Sequence, residues 1–140
     1  LDLEADSTGL VGDPAQVRQV IHNLVENALH AVQGVSEPRI VLRTRSDAQR
    51  VVFECEDNGV GIPEGIRRKV FEPFFTTKPS REGVGLGLAL SFNIIQRHGG
   101  VLELVRTRTL AGGEGGNGSP GTLFRFVLYR NPAGAASPVL

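Results

Sequence analysis

The stretch from Val51 to Gly61 constrains the fold more than any other part of the chain. In an extended strand alternate side chains share a face, so Val51, Phe53, Cys55 and Asp57 fall together, with Glu54 and Glu56 on the other side. The apolar face therefore runs straight into a carboxylate. Burying Asp57 without a donor would cost on the order of several kcal/mol. Asp-Asn-Gly also ends many strands in an ordinary turn, and the core-facing phase of Asp57 is what sets this one apart. The exocyclic amine of adenine is a fitting donor. Gly59 and Gly61 then allow a tight turn and the close approach of a flat ring. Cys55, in the same phase, reads as a small core residue rather than a nucleophile.

Other elements follow from period and punctuation. Asp13 is an N-cap with Pro14 at the first helical position, and the helix is expected to run to about Gln33, with Gly34 ending it. Val17, Val20, Ile21, Leu24, Ala28 and Ala31 form its apolar stripe. Strands are expected around Ile40 to Arg45, Val51 to Asp57, Val101 to Thr107 and Thr122 to Tyr129. A short helix follows Pro63, and a longer one runs from Leu86 to His98 with Leu86, Leu90, Ile94 and Ile95 as its apolar residues. The glycine-rich Ala111 to Gly121 reads as a mobile hairpin connection, and residues 131–140 as a tail that frays. These elements predict an α+β fold with a mixed, mostly antiparallel sheet and helices on one face. Residues 1–130 form one domain.

The 140 residues suffice for one core, and 40% hydrophobic and 21% charged content is ordinary for a globular domain. Zero formal net charge gives no electrostatic case for nucleic acid or direct membrane contact. A lone cysteine excludes an internal disulfide, and no run of about 18 apolar residues is present to span a bilayer. The chain starts at Leu1 without an initiator methionine and reads as a piece of something longer.

Three further motifs carry chemistry. Asn23, Asn27 and His30 share one helix face beside the apolar stripe. An asparagine oxygen suits a hard cation such as Mg2+, although solvated or capping amides are common in such places. Gly83-Val84-Gly85-Leu86-Gly87-Leu88 precedes a helix, where backbone amides can hold phosphate. No Gly-Lys-Ser/Thr follows, so this is not a P-loop, and no strand precedes it as a dinucleotide fingerprint requires. Between the glycine motifs lie Phe71, Phe74 and Phe75, which suit a hinge, and Lys78, which either reaches a phosphate or stays solvated.

From Val11 to Tyr129 the chain resembles the catalytic ATP-binding domain of bacterial sensor histidine kinases, in the wider family of gyrase, Hsp90 and MutL. The resemblance rests on an N box (Asn23 to Ala28), a G1 box (Asp57 to Gly61), an F box (Phe71 to Lys78), a G2 box (Gly83 to Leu88) and a final Gly121-Thr122. The wording of the F and G2 boxes looks most like the nitrogen-regulation branch. The resemblance implies a two-layer α/β sandwich of the Bergerat type with a mobile ATP lid at about residues 63–86. It implies Mg2+ on Asn27, with Asn23 assisting the ion or the phosphates, and an adenine pocket of Asp57, Gly59, Gly61, Ile62 and Thr122. It assigns the phosphates to Gly83, Val84, Gly85, Leu86, Gly87 and Leu88, with Lys78 and His30 as open candidates. Asn23 and Asn27 are the expected catalytic residues.

Gyrase-like relatives carry a water-activating glutamate where this chain has Asn23, so the resemblance implies transfer to another acceptor rather than hydrolysis. None of His22, His30 and His98 stands in the family's acceptor pattern. The expected function is that of a protein-histidine kinase in a two-component phosphorelay. Its ATP γ-phosphate would go to a histidine on a separate dimerisation domain, and from there to a response regulator. The parent is expected to be a homodimer with this portion cytoplasmic. An ATP-sensing module without phosphotransfer is the alternative.

Overall fold

The computed structural model describes residues 13–73, 87–109 and 119–130. Helix α1 spans Pro14–Ala31 and is capped as expected, Asp13 Oδ1 accepting the Ala15 N–H at 2.9 Å. It ends earlier than Gln33. The Ala31 carbonyl accepts the Val60 N–H at 3.1 Å from a distant loop, and Gly34 then turns the chain at φ +82°. Strands β1 (Ile40–Ser46) and β2 (Arg50–Asp57) form a hairpin. A single 3₁₀ helix, Glu64–Lys69, follows Pro63. Helix α2 (Gly87–Arg97), β3 (Val101–Arg108) and β4 (Gly121–Tyr129) complete the described fold. Most of Ala111 to Gly121, the rest of the expected lid and the 131–140 tail lie outside the described residues.

The sheet order is β1-β2-β4-β3, and the described pairings are all antiparallel. Both helices cover one face. Phe53, Cys55, Leu102, Phe124, Phe126 and Leu128 point from the sheet into a core closed by Val20, Leu24 and Ala28 of α1 and Ile94 and Ile95 of α2. Phe53 and Phe126, opposite each other in register, stack at 5.1 Å. Phe71 closes the core edge against Phe92 and Phe124. Leu90, expected in the α2 stripe, is 47% exposed. Ala89 and Ser91 are buried instead, as small side chains that leave room for the α1–α2 contact.

The alternation that turns Phe53, Cys55 and Asp57 inward sends Glu54 outward, yet Glu54 is buried. Arg45 and Arg125 bond its Oε1 at 2.9 and 3.1 Å. The register aligns Arg43, Glu54, Arg125 and Glu103 across all four strands, so charge alternates along the row. Glu56 pairs with Arg43 and Arg106 on the same face. Replacing Arg125 by Glu would set three carboxylates side by side. Arg125→Glu is expected to cost roughly 2 kcal/mol in urea denaturation, less than for a fully buried pair because the arginine is partly exposed. Added salt should recover part of the loss. Unchanged stability would show that the row contributes nothing.

Candidate functional site

The site forms where β2 runs out beside the C-terminal half of α1. Gly59 is buried against α1, and a Cβ there would lie 2.3 Å from the Ala31 carbonyl oxygen. Expected to admit a ligand ring, this glycine first admits the helix. Gly61 adopts φ +74°, and a Cβ there would lie 2.0 Å from the Arg108 carbonyl oxygen, so it fits the turn against the end of β3. Asn58 clamps the incoming α1–β1 connection. Its Oδ1 accepts the Arg39 N–H at 2.7 Å and its Nδ2 donates to the Glu37 carbonyl at 2.8 Å.

Asp57 is 7% exposed, as its strand phase predicts. Its Oδ1 accepts the Gly59 N–H at 2.8 Å. Burial pushes the carboxyl pKa above the ordinary aspartate range, against the opposing pull of the Gly59 and Thr122 N–H groups. A carboxylate offers about four acceptor positions, so room remains for a donor from a ligand. Thr122 stands opposite Asp57 in register and is buried, with its hydroxyl 2.9 Å from that of Thr107. Thr107 Oγ1 also accepts the Ile62 N–H at 2.7 Å. Asp57, Gly59, Gly61, Ile62 and Thr122 are thus brought to one end of the sheet. Cys55 is buried with its thiol pushed up to about 12, chiefly by burial, which suits a core residue.

On α1, Asn27 and His30 are half-buried along the expected face. Asn23 has a definite occupation: its Nδ2 donates to the Gly87 carbonyl at 3.2 Å and to Ser91 Oγ at 3.1 Å, while its Oδ1 accepts from Gln19 Nε2 at 3.1 Å. Gly87 and half-buried Leu88 open α2, and Gly87 is tied to α1 through its carbonyl. Lys78, Gly83, Val84, Gly85 and Leu86 lie outside the described residues. No cluster of three or more His, Cys, Asp or Glu side chains among the described residues could hold a metal. A cation here would lean on an amide, waters and ligand oxygens, which fits Mg2+. His22 faces solvent beside Glu26 at 3.6 Å. His98 accepts the Asp13 N–H at Nε2 (3.1 Å) and meets the Ile94 carbonyl at Nδ1 (2.7 Å). It links the two helices by donating at one nitrogen and accepting at the other.

Thr107 and Ser91 escaped the sequence reading. Ser91 lay hidden within an apolar run. A register shift between Leu104 and Arg106 sets Thr107 inward, where simple alternation from Leu102 would place Arg106. A cavity of about 320 Å³ opens at the same end of the sheet, and Asp57, Asn58 and Thr122 line it together with Arg39, Glu56 and Arg106.

Residues 12–132 match the family model for histidine kinase-, DNA gyrase B- and HSP90-like ATPases. The Escherichia coli histidine-protein kinase AtoS is 37% identical over 95% of this chain and 20% of its own length. The sensor protein TorS of the same species is 41% identical over 70% of this chain and 10% of its own. A mycobacterial sensor histidine kinase, MprB, superposes with a TM-score of 0.68 at 30% identity, covering 88% of this chain and 78% of that one. The chain belongs to the histidine kinase-, gyrase B- and HSP90-like ATPase family. Within it, this is the catalytic ATPase domain of the sensor histidine kinases, spanning a fifth or less of these curated relatives. The relatives are diverse sensor kinases and do not single out the nitrogen-regulation branch.

The raised Asp57 pKa has a signed consequence. The folded state holds this proton more tightly than the unfolded state, so stability falls as pH rises above the ordinary value of 3.8 and through the folded one. Measured against Asp57→Asn, which cannot titrate, the wild-type domain should lose ground over that window and hold a constant difference below it. Urea titrations from pH 3.5 to 7.5 test this, and a difference that stays flat throughout would remove the burial account.

Proposed function

We propose that this domain binds Mg-ATP, with Asp57 accepting the adenine amine, and presents the γ-phosphate to a histidine on a dimerisation domain outside this chain. The observation carrying the proposal is the buried Asp57 carboxylate, held by backbone N–H groups yet with acceptor capacity left, beside the amide-bearing face of α1. Gly59, Gly61, Ile62 and Thr122 shape the base pocket around it. Asn27 would hold Mg2+, which when bound neutralises phosphate charge in phosphoryl transfer. Asn23 orients the start of α2 toward the phosphates through Gly87. Gly83, Val84, Gly85, Leu86, Gly87 and Leu88 are assigned to the phosphates, with the lid at about residues 63–86 and Lys78 and His30 as further basic candidates. Asn23 is no general base for water, which favours transfer over hydrolysis.

The parent would act as a homodimeric sensor kinase passing phosphate to a response regulator, with this domain on the cytoplasmic side. Among the described residues no helix is long and apolar enough to cross a membrane.

Asn27→Ala is expected to abolish the gain in ATP affinity that Mg2+ provides, roughly tenfold or more for one lost ligand. Calorimetry with and without Mg2+ reads this directly, and an intact gain would sink the ion assignment. Labelled γ-phosphate supplied to the full-length parent should yield an acid-labile, base-stable phosphoprotein. ATP binding without label would instead favour a nucleotide-sensing module.

A further inference from the structure

Thr107 is buried at the end of β3, opposite Thr122, and belongs to none of the motifs that define the family resemblance. Its surroundings restrict where its proton can go. A threonine hydroxyl has one proton to donate and two lone pairs to accept with. One lone pair of Thr107 takes the Ile62 N–H at 2.7 Å. Among the described residues the hydrogen-bonding acceptor for its proton is Thr122 Oγ1, at 2.9 Å. Whichever hydroxyl donates, the proton of the other needs a further acceptor: the Thr107 proton if Thr122 donates, the Thr122 proton if Thr107 donates. Either hydroxyl can donate across this pair, and an acceptor in the pocket that takes the Thr122 proton selects donation from Thr107 to Thr122, which leaves neither buried hydroxyl unsatisfied.

The direction of that bond sets the chemistry of the pocket edge. Asp57 presents an acceptor and Thr122, so oriented, presents a donor. Adenine carries the complement, an amine donor at N6 and an acceptor at N1. Guanine carries an acceptor at O6 and a donor at N1, and mismatches both. A site built to hydrogen-bond one edge rejects the other because buried groups are left unpaired.

We propose that Thr107 is a specificity-determining positioning residue: it fixes the Thr122 hydroxyl as a donor toward adenine N1, directly or through a water, and anchors Ile62 beside it. The inference rests on the nucleotide-binding function proposed above. The bulge at Leu104–Arg106 serves it by turning Thr107 inward. Ile62 is held at both ends, its N–H by Thr107 and its carbonyl by Arg67 Nε at 3.2 Å, so the base of the pocket and the start of the Pro63–Val70 segment share one anchor.

The test uses calorimetric binding of ADP and GDP to the domain and to two variants. Thr107→Val keeps the shape and removes the hydroxyl, whereas Thr107→Ser keeps the hydroxyl. Thr107→Val should bind ADP about tenfold more weakly and lose about tenfold of the ADP-over-GDP preference, the effect of one lost hydrogen bond. Thr107→Ser should stay within about twofold of wild type. An unchanged preference in Thr107→Val, or a serine variant as impaired as the valine variant, would overturn the proposal. Wild-type protein with 1-deaza-ADP, which has C–H in place of N1, gives a reading that needs no variant to fold. It should bind about tenfold more weakly than ADP, and equal binding would overturn the proposal. Wild-type protein that binds no ADP at all would instead bring down the nucleotide-binding function itself.

Discussion

The contact on which the site depends is between the end of α1 and the turn after β2. The Ala31 carbonyl would otherwise belong to the unsatisfied last turn of a helix. Val60 satisfies it at 3.1 Å, and Gly59 allows the approach by having no Cβ. The helix bearing Asn23, Asn27 and His30 is thereby stopped beside Asp57. Asn58 closes the same junction from the other side by holding both ends of the Glu37–Arg39 segment. The three residues after Asp57 act first as a joint between helix and sheet, and the proposed pocket is a consequence of that joint.

The two faces of the sheet balance charge differently. On the helix side Asp57 is buried with backbone donors and carries a raised pKa, a cost consistent with keeping an acceptor ready for a ligand. On the open side Glu54 is just as buried, but arginines from neighbouring strands surround it. A carboxylate enclosed by cations has a structural explanation. One met among the described residues by backbone N–H groups alone does not, and that contrast singles out Asp57 among the acidic residues of β2.

Much of this was legible in the sequence because it follows local periods. The inward phase of Phe53, Cys55 and Asp57, the Asp13-Pro14 cap and the stripe from Val20 to Ala28 need no knowledge of distant partners. What escaped depended on tertiary contact. The α1 end was placed at Gln33 because the bond from Val60 is not visible in the helical pattern. Glu54 was read as a plain outward charge because its burial comes from β1 and β4. Thr107 was hidden by one extra residue in β3, which reverses the alternation beyond Leu104. At Gly59 the need for an absent Cβ is legible in the sequence, and the tertiary contact adds that α1 is packed against it.

Asn23 shows why its chemistry differs from that of a glutamate beyond the loss of a general base. Its amide nitrogen donates to Gly87 carbonyl and to Ser91 Oγ, and Ser91 Oγ itself donates to the same carbonyl at 2.8 Å. A glutamate carboxylate has only acceptors to offer and would face the Gly87 carbonyl with no proton to share. Asparagine at this position therefore both withholds a base from water and fastens α1 to the first residue of α2. The glycine motif assigned to phosphate leads directly into that residue. A displacement of the α1 amide face would pass through Asn23 to the start of α2, so the proposed ion site and the proposed lid end share one mechanical link.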